Sequence, residues 1–142
     1  MGRVMAVCAS ALRGVKKTNI GVGDFIENYG LKTDGHAGEW HRQVSLLSYD
    51  CVQAFCAGGA KAGDGDFGEN LLVRGIDFKM LPVGTKLYCG SVILEITQIG
   101  KECHSRCRIY EQMGDCIMPR EGVFARVLRG GKIAVGDELF TL

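Results

Sequence analysis

Ser91-Val92-Ile93-Leu94-Glu95-Ile96-Thr97-Gln98, and after Ile99 the run Gly100-Lys101-Glu102-Cys103-His104-Ser105-Arg106-Cys107-Arg108-Ile109-Tyr110, is the stretch on which the reading of this chain turns. The first part is rich in β-branched and apolar residues and is the strongest strand signal in the sequence. The second part is polar and bounded by glycine. With Cys116 a little downstream, it places three of the seven cysteines beside a run of cations. A sulfur delivered from the end of a rigid strand is the first candidate for chemistry.

Outward from that strand, short β signals recur. Residues 3–9 suit a strand, residues 10–17 a basic loop, and residues 18–30 a second strand or hairpin. Residues 31–42 are polar and broken by glycine, as in a surface loop. Residues 43–47 return to strand. Ser48 suits the N-cap of a helix over 49–57, with Val52, Phe55 and Cys56 on one face and Gly58-Gly59 closing it. Leu71-Leu72-Val73 reads as a short strand. Val83-Gly84-Thr85-Lys86-Leu87-Tyr88 and Val135-Gly136-Asp137-Glu138-Leu139-Phe140 share one pattern, a tight turn feeding a strand. Cys89-Gly90-Ser91 can reverse the chain into a hairpin. Pro119-Arg120-Glu121 can open a second short helix through about residue 129, closed by Gly130-Gly131. Many short strands, two short helices and no βαβ alternation predict a mainly β, barrel-like single domain over residues 1–142.

Composition narrows the function. The 142 residues suit one domain with a real core, and 46% hydrophobic with 23% charged residues is ordinary for a globular chain. A net charge of +1 gives no case for nucleic acid or an acidic membrane surface. No apolar run approaches the roughly 18 residues of a membrane span. Met1-Gly2-Arg3-Val4-Met5-Ala6-Val7-Cys8 lacks the apolar core and cleavage site of a secretion signal, so the expected location is the cytoplasm, with reduced cysteines. Cys8, Cys51, Cys56 and Cys89 fall in apolar patterns and read as core. Hydrolase and nicotinamide-enzyme motifs (Gly-x-Ser-x-Gly, His-Glu-x-x-His, Gly-x-Gly-x-x-Gly) are absent.

Cys103, Cys107 and Cys116, in polar, glycine-bounded sequence, are therefore the chemical candidates. Their thiolates suit soft metals, and Lys101, Arg106 and Arg108 would favour the thiolate if they approach it. His104 would serve as a base if it reaches. A zinc site built from Cys103, His104, Cys107 and Cys116 is an alternative, but paired C-x₂-C knuckles are lacking. In the loop before residue 43, His36 and His41 stand five apart, which suits neither a helix face nor a strand face for a shared metal. Anion contacts fit better there, from Gly-rich turns and from Arg42; otherwise Trp40 packs down and the histidines cap backbone groups. Lys16, Lys17, Arg120 and Arg126 are further possible anion contacts, each read individually as a solvated surface cation.

The order of these pieces resembles the MOSC family, the domain named for the C-terminal part of molybdenum cofactor sulfurase. The matching residues are Gly35-His36-Ala37-Gly38, His41-Arg42-Gln43-Val44-Ser45-Leu46-Leu47, Gly65-Asp66-Phe67-Gly68-Glu69-Asn70-Leu71, Val83-Gly84, Glu95-Ile96-Thr97-Gln98, the Cys103 to Cys107 stretch, and Asp115-Cys116-Ile117-Met118-Pro119-Arg120 on to Gly136-Asp137. The last of these is similar to small stand-alone bacterial members. The resemblance implies a β-barrel that binds molybdenum cofactor, a molybdopterin with a terminal phosphate, and handles, sulfurates or delivers it through a cysteine thiolate. Ser105-Arg106-Cys107-Arg108-Ile109 is similar to the metal-ligating segment of amidoxime-reducing relatives. It implies Cys107 as metal ligand or sulfur carrier, with Cys103 and His104 beside it in the catalytic set. The implied cofactor contacts are Lys17, His36, His41, Arg42, Asn70, Arg106 and Arg120. A molybdenum oxidoreductase acting on N-hydroxylated compounds is the alternative activity, and a non-catalytic zinc module a second one. Pyridoxal phosphate, found in another domain of the sulfurase, is not expected in this chain. Expected partners are proteins that make or accept the cofactor.

Overall fold

In the computed structural model, which describes residues 2–12, 15–59, 62–100 and 122–141, the decisive stretch is strand β8 (Val92–Ile99). Val92, Leu94 and Ile96 are buried, while Ile93, Glu95 and Thr97 between them are half-buried, the period-2 signature of a strand with one face on a core. A two-residue turn, Gly90-Ser91, joins it to β7 (Lys86–Cys89), with Cys89 opposite Val92. Gly90 has φ 57°, in the left-handed region that a tight hairpin turn requires.

From this hairpin the sheet grows both ways until it meets itself. On one side β8 pairs antiparallel with β9 (Val123–Arg129), and β9 with β5 (Val44–Ser48). Next come β6 (Leu71–Arg74) and β1 (Gly2–Ala9). On the other side β7 pairs with β11 (Glu138–Thr141), and β11 with β1. The result is a closed seven-stranded barrel, which leaves no edge along its wall. β2 (Thr18–Asn19) adds to β1, and a separate three-stranded sheet of β3 (Val22–Ile26), β4 (Gly30–Leu31) and β10 (Gly131–Ala134) brings Phe25, Leu31 and Ile133 into the barrel's core. The mainly β, barrel-like fold expected from the sequence is the one observed.

Two details differ from expectation. The helix expected through residue 129 is not there over its later part: residues 123–129 form β9. Val123, Phe124, Ala125 and Val127 are all buried, because the strand lies between β5 and β8, covered on both faces. A short apolar run buried on both sides does not declare its period, and Gly130-Gly131, read as a helix stop, instead links β9 to β10. The other helical element among the described residues is a 3-10 turn, Phe78–Met80. Second, β5 and β6 run parallel with helix α1 (Tyr49–Ala57) between them, a single βαβ unit in a sheet otherwise antiparallel. Parallel neighbours need a long crossover, and local pattern does not show which strand the crossover returns to.

Helix α1 starts where expected. Ser48 has extended φ/ψ, and its side chain accepts from the Cys51 N–H at 3.3 Å; Gly58 ends the helix. Its apolar side completes a second core on the outer barrel wall, where Ala6, Cys8, Leu47, Phe67, Leu72 and Phe124 meet Val52. Cys8 and Cys89 are buried, whereas Cys51 and Cys56 are half-buried on α1 against this second core. No helix among the described residues is long and apolar enough to cross a membrane.

Candidate functional site

The polar loop after β4 passes over the end of β1 and then across the β8–β9 wall, and two clusters form along it. At the first, the Lys17 side chain is fully buried, with its ammonium 2.7 and 2.9 Å from the two carboxylate oxygens of Asp34 and 3.1 Å from His36 Nδ1. Asp34 also accepts from the N–H groups of Ser10 and His36. Lys17 is thus no solvated surface cation. The expectation failed because its counter-ion, 17 positions away, is brought to it only by the fold. Burial lowers the Lys17 pKa, with Asp34 pulling the other way. Burial would raise the Asp34 carboxyl, but the Lys17 ammonium and the hydrogen bonds to it prevail and hold it below its ordinary value.

Next to this pair, the Gly65–Asn70 turn locks onto the barrel. Gly65 accepts from the Lys17 N–H at 2.8 Å, and a Cβ on Gly65 would stand 2.0 Å from the Lys17 carbonyl oxygen. Glu69 is fully buried and accepts from the N–H groups of Gly65 and Phe67. Burial pushes its carboxyl up to about 7, against the lowering effect of those hydrogen bonds. Asn70, also buried, donates to the Cys8 carbonyl at 3.0 Å and accepts from the Ser45 N–H at 3.0 Å and hydroxyl at 3.1 Å. Its amide ties β1, β5 and β6 together. Burial raises the thiol pKa of Cys8 far above neutrality and that of Cys89 to about 11, so both stay protonated and act as small apolar side chains.

The second cluster sits on the β8–β9 wall. Trp40 packs down, donating from Nε1 to the His36 carbonyl at 2.7 Å. Arg42 lies between two rings, its guanidinium carbon 5.2 Å from the Trp40 centroid and 5.5 Å from that of Phe124. Its Nε is buried and has no hydrogen-bond partner among the described residues. His41 is exposed, with Nε2 2.9 Å from Gln98 Oε1, and the Thr97 hydroxyl donates to the His41 carbonyl. Asn28, Glu39, Trp40, His41, Thr97 and Arg126 line a pocket of about 270 Å³ beside this cluster. Arg126 is half-exposed and paired with Glu95 at 2.8 Å.

His36 and His41 therefore belong to different clusters, linked through Trp40. Among the described residues no three His, Cys, Asp or Glu side chains are gathered for a metal. Cys103, His104, Arg106, Cys107, Cys116 and Arg120 lie outside the described residues. The Gly100 N–H donates to the Gly122 carbonyl at 2.6 Å. Gln98, which faces His41, also donates to the Gly100 carbonyl at 2.8 Å, so Gly100 adjoins the second cluster. Asp34, Glu69 and Gln98 escaped the sequence reading as site residues. Gln98, at the end of the strongest strand, and Glu69, in the Gly65–Asn70 segment, both stood in segments that carry the family resemblance, whereas Asp34 stood only in the polar loop.

The class of protein is that of a closed β-barrel whose polar loop after β4 carries Asp34, ion-paired to the buried Lys17, and the ring-clamped Arg42. The chain belongs to the MOSC domain family, whose sequence pattern matches residues 33–140. That family is associated with molybdenum cofactor binding or sulfuration. Among solved structures, YuaD from Bacillus subtilis is similar at TM-score 0.79 and 18% identity, covering 98% of this chain and 94% of that one. YiiM from Geobacillus stearothermophilus is similar at TM-score 0.74 and 17% identity, covering 100% of this chain and 75% of that one. YiiM from Escherichia coli is similar at TM-score 0.70 and 15% identity, covering 99% and 69%. At such identities the likeness is one of fold. No curated protein is significantly similar to the chain in sequence.

Proposed function

We propose that this protein binds molybdenum cofactor at the second cluster and handles, sulfurates or delivers it through the Cys107 thiolate, with Cys103 as second candidate. The observation that carries this reading is Arg42. Its guanidinium is held by two rings, and its buried Nε still lacks an acceptor among the described residues. A buried donor of that kind needs a partner, and a phosphate oxygen is a strong one. His41 adds a polar contact at the same rim, and Arg106 and Arg120 are proposed as further anion contacts. The Lys17–Asp34 pair and Asn70, whose polar atoms are engaged within the protein, support this rim. The chemistry the cofactor supplies is that of a high-valent molybdenum already bound by dithiolene sulfur, a soft centre suited to a thiolate.

Metal analysis of protein made in a host that synthesises the cofactor tests this. Molybdenum should be present, should fall in Arg42→Ala, and should be lost in Cys107→Ala but kept in Cys103→Ala. Unchanged molybdenum in both cysteine variants and in their double would sink the ligand assignment. Zinc at one per chain, lost in Cys116→Ala, would replace the reading with the zinc module. Reduction of an amidoxime by a reduced dye would move the function to the oxidoreductase.

A further inference from the structure

We propose that the pocket lined by Asn28, Trp40 and His41 is preset for the lactam edge of a flat heterocycle, the Asn28 amide donating to a ring carbonyl and His41 Nδ1 accepting from the adjoining ring N–H. Two side-chain relays carry this inference, each anchored on a backbone group whose role is fixed. The Gly100 carbonyl can only accept, so the Gln98 atom 2.8 Å from it is the amide nitrogen. Gln98 Oε1 then lies 2.9 Å from His41 Nε2, and an oxygen there requires Nε2 to hold the ring proton. In the neutral ring Nδ1 keeps a lone pair, with no hydrogen-bond partner among the described residues. The ring meets Trp40 edge-on, with centroids 5.8 Å apart, and the Thr97 hydroxyl donates to the His41 carbonyl.

The second relay starts at the Val127 N–H, which can only donate. Gln43 Oε1 accepts from it at 2.9 Å, so Gln43 Nε2 is free to donate to Asn28 Oδ1, at 3.1 Å. That leaves the Asn28 amide nitrogen for the pocket, again with no partner among the described residues. The pocket thus offers one oriented donor and one oriented acceptor within about 270 Å³. Its charges do not favour an anion: Glu39 is a carboxylate, and Arg126 is paired with Glu95 at 2.8 Å. Arg42 is not among the lining residues, which leaves the phosphate to Arg42 and the ring to this pocket. The ligand half rests on the cofactor reading given above, since the pterin ring of that cofactor carries a carbonyl beside an N–H. Gln43 and Gln98 act as positioning residues.

Two measurements test the relay and the ligand separately. At about pH 8.5, roughly two pH units above the ordinary histidine value, the imidazole nitrogen shifts of His41 should show Nδ1 unprotonated and Nε2 protonated. Gln98→Leu should move them towards a mixture of tautomers. An Nδ1–H tautomer in the unaltered protein overturns the inference, whether or not Gln98→Leu folds. For the ligand, a free pterin with neither phosphate nor metal is titrated against the unaltered protein, and inorganic phosphate in parallel. The pterin should shift the His41 Nδ1 signal and phosphate should not. A pterin that leaves that signal unmoved, or phosphate that moves it instead, overturns the inference. Asn28→Asp keeps an acceptor for Gln43 and tolerates φ 51°, but exchanges the donor for an oxygen. It should weaken pterin binding about tenfold, the effect of one lost hydrogen bond. Equal affinity in the two proteins overturns the donor role of Asn28. Absence of molybdenum from the unaltered protein would instead overturn the cofactor reading, and the pterin titration and nitrogen shifts would still decide the pocket.

Discussion

Glu69 is a carboxyl in a place that disfavours its charge. Its pKa rises from 4.5 when solvated to about 7 when folded. Between those values the folded state holds a proton that the unfolded state has released, so stability falls as pH rises through the window and is level above it. The full drop is about 3 kcal/mol by the cost of each pKa unit. Urea unfolding at a series of pH values should show this slope, and Glu69→Gln should remove most of it; an unchanged slope in the variant would assign it elsewhere. Asp34 has the opposite sign. Its lowered pKa contributes stability above 3.8 that is lost on further acidification. Lys17→Met leaves Asp34 buried without its counter-ion and should cost about 3–5 kcal/mol. Adding Asp34→Leu to it should recover a large part of that loss in the same denaturant assay. Neither effect was legible in the sequence. Lys17 stands in a basic run and Asp34 in an Asp-Gly turn, and each is an ordinary surface pattern until the chain folds.

At the scale of elements, local signals worked where the chemistry is local. Ser48 caps α1 through its own side chain, and Ser48→Ala should lower stability by about 1 kcal/mol, measured by thermal unfolding. The two Val-Gly-x-x-Leu-aromatic segments are a matched pair: Gly84 and Gly136 both have φ 96°, and the strands they feed, β7 and β11, are antiparallel neighbours with Tyr88 opposite Phe140. The Gly65 turn depends on distance as well as conformation. Gly65 has φ 79° and its missing Cβ would overlap the Lys17 carbonyl, so Gly65→Ala should cost about 3 kcal/mol or more. Gly59, at φ 104° with no atom within 4 Å of its would-be Cβ, is the control: Gly59→Ala should cost only the conformational part, about 1–2 kcal/mol. Equal costs at the two positions would refute the packing argument. The strand β9 shows the limit of local reading, since its burial on both faces comes from neighbours far away in sequence.

For the whole molecule, closure is the feature that matters. The seam between β1 and β11 is short, with Gly2 opposite Leu139 and Arg3 opposite Glu138, whereas β8 and β9 pair along nearly their whole length. Amide exchange should therefore open the β1–β11 seam before the β8–β9 pair; the reverse order would mean that closure is not the weak point. The sequence by itself determined the class of fold, the hairpin turn between β7 and β8, the cap of α1 and the segment worth testing for chemistry. These depend on side-chain period, turn conformation and residue type, which act over a few positions. Only the tertiary structure decided that β5 and β6 lie parallel, that residues 123–129 are a strand, that Lys17 is buried against Asp34 and His36, and that Arg42 lies between Trp40 and Phe124. Each of those joins residues distant along the chain, and their energies come from excluding water around groups that are strangers in sequence.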